Sequence, residues 1–394
     1  MARVPAGRTH CRASTIFSTG SSVARYSREY LILLGAHFFF FLNFSELILL
    51  PKYFLSLGLS PSGIGLLMGA FSLSVLASLP VAGYLSEKIP RRGLFMTGTI
   101  LMALPSALYI PFSGLMPTLF LLRILQGIGF SAAFGIIGAM VVEGRALQDR
   151  KLMLGILTVV GIATHALGPA LGEFLIGSWG YPALFSSATA FGLVAVLLSF
   201  LMPSRVTGGW SGMTGMNPVS LLGASSAIMG TVFGSVIIFL PPYLMTRGVT
   251  DSSPFFISFV IGSVMVWTVL YRRIRALPER ISWMVSSLLL VFLPLCLPWA
   301  DRGLPLIGLS LLFGVGYGFL YPTVNASMIE ANPDHQGIAN SLFVWSFNVG
   351  MLIASVGFGF LCESIGYGTA FRAVAFSGFI LFMVMGAGGR KEES

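Results

Sequence analysis

An all-α membrane protein of twelve transmembrane helices, arranged as two six-helix halves, is the fold class that this 394-residue sequence predicts. Three observations carry it. Apolar runs recur from residue 29 almost to the end, each near the roughly 20 residues that a ~30 Å hydrocarbon core requires. Hydrophobic residues make up 55% of the chain and charged residues 9%, a balance foreign to soluble domains of this length. The charges that remain fall almost entirely in alternate connecting segments.

Taken in order, the spans are 29–56, 61–82, 93–113, 116–142, 152–177, 183–203, 220–246, 253–271, 282–300, 303–329, 338–363 and 367–387. The first six form one bundle, residues 29–203, and the last six another, residues 220–387. Residues 204–219, a Gly, Ser and Met stretch with the single basic residue Arg205, read as a flexible cytoplasmic linker. With the tails, residues 1–28 and 388–394, on the cytoplasmic side, 18 of the 23 lysines and arginines fall in cytoplasmic segments. Lys52, Arg247 and Arg302 are left at outer ends, and Arg123 and Arg372 lie within or at the edge of spans. That asymmetry is the positive-inside rule, and it puts both termini in the cytoplasm. The net charge of +9 is therefore a topology signal with membrane lipid headgroups as its partners, and it implies no nucleic acid.

Residues 1–27 are rich in Arg, Ser and Thr and carry no acid, a composition shared with organelle transit peptides. Lacking a long amphipathic pattern, they read as a cytoplasmic tail. Cys11, Cys296 and Cys362 offer neither metal spacing nor a disulfide framework and read as free thiols. No CxxC, HExxH, phosphate loop or nucleophile elbow occurs, so the sequence predicts no enzyme, no metal site and no cofactor. The run Gly314-x-Gly316-x-Gly318 lies inside a span, where small residues let helices pack closely.

The two halves echo each other. In each, the second and third spans are separated by a basic loop, Gly-Tyr-Leu-Ser-Glu-Lys-Ile-Pro-Arg-Arg from Gly83 and Tyr-Arg-Arg-Ile-Arg-Ala-Leu-Pro-Glu-Arg from Tyr271. The first loop resembles Gly-x-x-x-Asp-Arg/Lys-x-Gly-Arg/Lys-Arg/Lys, the signature between the second and third helices of the major facilitator superfamily, with Glu87 for the aspartate and Pro90 for the second glycine. In the fourth span, Arg123-Ile-Leu-Gln126-Gly127-Ile-Gly129-Phe-Ser131 is similar to that superfamily's Arg-x-x-Gln-Gly-x-Gly-x-Ala motif. In the fifth, Gly155, Gly168, Pro169 and Gly172 match the glycine-proline signature that accompanies its exporters and packs helices, while Thr164 and Glu173 replace two of its glycines. Gly318-Phe-Leu-Tyr321-Pro322 and Asp334-His-Gln-Gly337-Ile-Ala339-Asn340-Ser341 look like the tenth span and the following loop of bacterial efflux-type members.

The resemblance covers residues 29 to about 387. It implies the major facilitator fold, with parallel repeats and a substrate site between the halves near the midplane. It further implies a monomeric secondary transporter of the drug/proton antiporter-like type in a bacterial inner membrane, exporting a small organic compound in exchange for protons by alternating access. Two alternatives stand beside it: a symporter or facilitator importing a metabolite, and a non-transporting receptor or assembly factor on the same fold. By the same resemblance Gly83, Glu87, Arg91, Arg92 and Glu143 gate rather than bind. Gly83 would admit a close neighbour, Glu87 would accept from the amino-terminal end of another helix, and Arg92 needs a carboxylate, for which Glu143 lies at the matching depth. Read as charges alone, these are ordinary positive-inside loop residues.

Ionisable residues inside a bilayer are costly and mark function by default, which singles out Glu46, Arg123 and His165. At about 1.5 Å per residue, Glu46 lies roughly 5 Å outward of the centre of its span, Arg123 roughly 9 Å outward of its own, and His165 almost at the middle. Asn43 shares a helical face with Glu46, and Gln126 with Arg123, so each helix can present paired polar groups to one cavity. A carboxyl whose proton occupancy depends on whether Arg123 stands beside it would couple protons to substrate. A fixed contact of Glu46 with Arg123 or Asn43, gluing helices together, is the plainer alternative. His37 reads as structural, and Glu173 and Glu363, near outer helix ends and within reach of water, are given no coupling role. Tyr317, Tyr321 and Asn325 recur at intervals of four and, with Asn340, Trp345 and Asn348 of the next span, make a mixed aromatic and amide wall. Such a wall suits an amphipathic organic molecule better than a bare ion, with packing and interhelical amide bonds as the competing reading.

Overall fold

The computed structural model describes residues 28–112, 114–143, 147–204, 221–270, 278–332 and 336–388. The expected tails, the linker beyond Ser204 and most of the basic loop from Tyr271 lie outside the described residues. Among the described residues, twelve helices follow one another. The first half holds α1 (Arg28–Glu46, continuing through a 3-10 turn at Leu47–Leu49 into Leu50–Ser56), α2 (Pro61–Lys88) and α3 (Arg91–Leu108). It is completed by α4 (Met116–Phe134, resuming after Gly135 as Ile136–Val142), α5 (Leu147–Trp179) and α6 (Tyr181–Ser199). The second half holds α7 (Leu221–Thr246), α8 (Ser253–Met265, closing in a π-helical turn at Val266–Leu270) and α9 (Glu279–Cys296). It ends with α10 (Gly303–Glu330), α11 (Gln336–Ile353, continuing through a π-helical turn at Ala354–Phe358 to Ile365) and α12 (Tyr367–Gly388). Ten of the helices are long and apolar enough to cross a membrane, and α3, which opens on Arg91 and Arg92, and α12 complete the set.

Local sequence explains the breaks. Pro51 has no N–H to continue the ladder, and α1 tightens in the turn before it. Ser60 accepts from the Gly63 N–H at 3.3 Å and Pro61 takes the first helical position, a combination that fixes where α2 begins. Helix α2 then runs on to Lys88, past the end of its apolar stretch, because a helix stops where its hydrogen bonds stop and not where hydrophobicity does.

The helices pair identically in the two halves. The pairings α1–α5, α1–α6, α2–α4, α3–α4 and α3–α6 of the first recur as α7–α11, α7–α12, α8–α10, α9–α10 and α9–α12 of the second. The repeat extends to single residues. Gly58 after α1 and Gly248 after α7 both adopt left-handed φ, 81° and 78°, where the chain turns back on itself. Each is followed by an N–H that reaches five residues back, Leu59 to Phe54 and Val249 to Leu244, the 6→1 closure of a Schellman cap. Two matching aromatic groups then lock each first helix to its last: Tyr53 with Tyr181 and Phe185, and Tyr243 with Tyr367 and Phe371.

We call the face where α1 begins proximal and the opposite face distal. Beside a contact of the distal part of α1 with α7, the halves meet along two seams that are themselves related by the repeat, α2 with α11 and α5 with α8. At the first, the backbones touch. A Cβ added to Gly65 would fall 2.3 Å from the Ser355 carbonyl oxygen, and one added to Gly359 would fall 2.7 Å from that of Pro61. Small residues at such positions are what permits helices to approach without a side chain between them. The expectation for Gly314, Gly316 and Gly318 holds in the same way: the first and third lie against Phe259 and Ser263 of α8, and the second against Ser286 of α9.

Candidate functional site

Glu46, at the end of the first segment of α1, is completely buried. Both its carboxyl oxygens lie 2.8 Å from the Ser187 hydroxyl of α6, which donates to them, and among the described residues no cation pairs with it. The helix-packing glycines explain the burial. A Cβ on Gly168 would stand 2.6 Å from the Ser45 Cβ and 2.9 Å from the Glu46 nitrogen, and one on Gly172 would stand 2.7 Å from Leu49, so α5 is pressed against α1 at the carboxyl. Pro169 lies within α5 between them. Gly155, by contrast, faces open space and makes no such approach. Asn43 is turned inward to the bundle, donating 2.6 Å to the Ala188 carbonyl and 3.3 Å to the Ser106 hydroxyl. It ties α1 to α6 and α3.

Arg123 does not meet Glu46. Its Nη1 donates to the Gln126 side-chain oxygen at 2.9 Å, and its guanidinium lies 4.5 Å over the Phe71 ring. The Tyr109 hydroxyl donates to that same oxygen at 3.0 Å, which fixes the amide. Gln126 is thereby buried, and its Nε2 and the Nε of Arg123 find no acceptor. Arg123 lines a cavity of about 60 Å³ where the halves meet, between Phe44, Met68 and Phe71 of the first and Ile237, Ile238 and Met351 of the second. A larger apolar groove, about 520 Å³ and lined by Leu309 and Leu312 among others, runs along α9 and α10 and offers no polar side chain to a ligand. His165 is half-buried in α5, its Nδ1 3.0 Å from the Gly161 carbonyl and its ring beside Phe41 and Phe44. His37 packs on Phe41 at 4.5 Å and reaches the Leu157 carbonyl, in keeping with a structural role.

The proximal loop differs from expectation in two contacts. Glu143 pairs with Arg91 at 3.6 Å, and Arg92 instead lies 5.6 Å over the Phe200 ring, because helix α3 starts at Arg91 and turns its neighbour toward α6. Gly83 faces open space, so it admits no close neighbour. Glu87 is partly exposed and is the penultimate residue of α2.

In the second half, Tyr317 stacks on Phe233 at 4.2 Å and Tyr321 packs on Phe343 and Phe347, so these tyrosines of α10 belong to an aromatic cluster with α7 and α11. Asn325 donates to Asn340 at 2.9 Å, tying α10 to α11. Asn348 bonds to the Val344 carbonyl of its own helix, and Trp345 is half-buried. The stripe is one of packing and interhelical bonds along part of its length.

A third constellation escaped the sequence reading. Glu173 is buried, not open to water as expected. It pairs with Lys52, itself buried, and accepts from the Ser252 hydroxyl at 2.5 Å and the Ser252 N–H at 3.1 Å. Lys52 also donates to the Thr250 carbonyl. Residues of α1 and α5 thus hold the α7–α8 turn of the other half at the distal face. On the α2–α11 seam, exposed Glu363 accepts from the Ser62 N–H at 3.2 Å, a second distal link between the halves. The signal was present in the sequence as Lys52, a lone cation inside an apolar run, which requires a counter-charge at its own depth.

Comparison with known families decides what this architecture is. The Major Facilitator Superfamily matches residues 32–331 and again 276–392. The chain belongs to this superfamily. Members of this superfamily are membrane transporters. It is 29% identical to the "Uncharacterized MFS-type transporter YwoD" of Bacillus subtilis over 55% of this chain and 46% of that protein. It is 33% identical to the "Putative multidrug resistance protein MdtD" of Shigella boydii over 41% of this chain and 34% of that one. The matched region thus spans less than half the length of either relative. Among solved structures, the nucleoside transporter NupG superposes with a TM-score of 0.75 at 15% identity, covering 92% of this chain and 99% of that one, a likeness of fold.

Proposed function

We propose that this major facilitator protein is a proton-coupled exporter of a small organic compound, working by alternating access, with Glu46 as the proton carrier. One observation carries the reading: a carboxyl lies fully buried in α1 at the packing point of α5, with a hydroxyl for a partner and, among the described residues, no cation. A charge there is uncompensated, whereas a proton leaves it hydrogen-bonded, so its occupancy follows the packing of α1 on α5 and α6. His165, half-buried beside Phe41 and Phe44, is the second candidate to carry the proton. Arg123 belongs to the substrate side of the coupling, since it lines the cavity between the halves. The aromatic and amide residues Tyr317, Tyr321, Asn325, Asn340, Trp345 and Asn348 complete the substrate wall from the second half.

Export is supported by the glycine-proline stretch in α5 and by the multidrug resistance name of the MdtD relatives. The placement of basic residues supports a cytoplasmic proximal face, and the bacterial relatives support an inner-membrane location. In that frame the distal links hold the outer side closed, and Glu87, Arg91, Arg92 and Glu143 regulate the inner one. The protein works as a monomer.

Glu46→Gln tests the reading in proteoliposomes. Gln keeps the size and the hydrogen bond to Ser187 but exchanges no proton, so transport driven by an imposed pH gradient should be lost while folding and substrate binding survive. Full pH-driven transport by the variant removes Glu46 from the mechanism and passes the role to His165.

A further inference from the structure

We propose that Arg123 recognises the acidic group of the substrate, so that the compound carried is an amphipathic organic anion, a carboxylate or sulfonate with an apolar body. This rests on the transport reading above and narrows its substrate. Arg123 is 3% exposed, in the membrane-spanning part of α4, and its guanidinium keeps its charge at any attainable pH. Among the described residues no carboxylate pairs with it: Glu46 is held on α6, Glu143 by Arg91 and Glu173 by Lys52. Around it stand one amide oxygen at 2.9 Å, the face of Phe71 at 4.5 Å and the neutral hydroxyl of Tyr109.

Two buried donors at this point lack any acceptor, the Nε of Arg123 and the adjacent Nε2 of Gln126. Orphaned donors beside an uncompensated positive charge define the missing partner. It brings acceptor oxygens and a negative charge, which a guanidinium takes in a planar two-point contact. Apart from Ser72, the rest of the cavity that Arg123 lines is apolar, with Phe44, Phe71 and Met351 among its walls, so most of that partner is hydrophobic. A cationic compound would meet like charge in a poorly screened site, and a neutral one would leave the charge uncompensated. At about 60 Å³ the cavity is too small for such a molecule in this conformation, so the halves must part to load it.

Three probes with one aromatic body separate the possibilities: 2-naphthoate, its neutral amide 2-naphthamide and the cation 2-naphthylmethylamine. Wild-type protein, R123Q and R123K are placed in nanodiscs of phosphatidylcholine alone, and binding is read by thermal stabilisation and tryptophan fluorescence. Wild type should bind the naphthoate at least about tenfold more tightly than the other two, R123Q should lose that preference, and R123K should keep part of it because it retains the charge without the fork. Naphthoate binding no stronger than that of the amide or amine overturns the proposal, as does an undiminished preference in R123Q. The ranking in wild type needs no variant, so it decides even where R123Q fails to fold. Displacement of naphthoate by phosphatidylglycerol added to the same discs would assign the guanidinium to a lipid headgroup and also overturn it. The measurement uses no pH gradient, so failure of proton coupling at Glu46 leaves its result unaffected.

Discussion

Replacing Glu173 by Gln should open the distal face. Glu173 and Lys52 are both buried, at 7% and 5% exposure, and their links to Ser252 and Thr250 cross from one half to the other. Removing one partner of a buried pair costs about 3 to 5 kcal/mol, because the remaining charge is left without compensation. Once the halves part, the same groups face water, where an ion pair contributes only about 0 to 1 kcal/mol. The difference falls on the closed state alone. At about 1.4 kcal/mol per factor of ten, the closed-to-open ratio should drop by about a hundredfold. Spin labels at Gly114→Cys and Leu304→Cys, on the distal ends of the two halves in a background lacking Cys11, Cys296 and Cys362, would report the separation by pulsed dipolar spectroscopy. E173Q should move the distribution to longer distances. The double variant K52M/E173Q should return much of it, since no unpaired charge remains. A wild-type distribution in E173Q would refute the claim that this clamp holds the closed state.

The other expectations are simpler. Gly168→Ala places a Cβ 2.6 Å from Ser45 and should cost about 1 to 3 kcal/mol by overpacking, while Gly155→Ala enters open space and should gain about 0.5 to 1 kcal/mol; equal shifts in thermal unfolding would disprove the packing assignment. Charge reversal at Arg91 should be rescued by reversal at Glu143, with a coupling of up to about 1 kcal/mol in a double-mutant cycle, whereas reversal at Arg92 should not be. Burial would push the Asp301 carboxyl up, but the guanidiniums of Arg247 and Arg302 outweigh it and hold the group below the ordinary carboxylate range. Because the folded-state value is depressed, this stabilisation is present above about pH 4 and is lost as the pH falls through that lower value. Wild type should therefore be more stable than D301N at neutral pH and converge with it in acid; a gap independent of pH would exclude the pairing as its cause.

Sequence made the fold legible because the bilayer imposes one-dimensional rules: span length, apolar run and charge side are all local properties of the chain. The glycine run Gly314 to Gly318 was readable for the same reason, its spacing alone placing two glycines on one face and one on the other. Part of the repeat was missed although it is written plainly. Gly180-Tyr181 with Phe185 and Gly366-Tyr367 with Phe371 are the same turn in the two halves, but three matched residues fall below what composition and charge patterning detect. Partner choice in the site was not legible. Depth along a helix placed Glu46 and Arg123 at similar levels, yet which way each points is set by helix rotation, and that is fixed by contacts such as Gly168 on Ser45. Arg91 and Arg92 show the same limit at its smallest: adjacent residues on a helix point about 100° apart, and only the packed structure selects the one that meets Glu143.

The two seams between the halves are related by the internal repeat but are built differently. Along α2 and α11 the contact is backbone on backbone, through Gly65 and Gly359, and it coincides with the π-helical turn at Ala354–Phe358. Along α5 and α8 it is closed by buried charge. A backbone contact of this kind can roll by small adjustments and keep its area, and a π turn supplies slack where the helix must bend. The bonds that the buried pair makes to the other half, from Glu173 to Ser252 and from Lys52 to the Thr250 carbonyl, give no such latitude and break in a single hydrated step. The distal face should therefore swing like a door, pivoting on the glycine seam and released at the charged one, so that the path to the outside widens first on the side of α5 and α8.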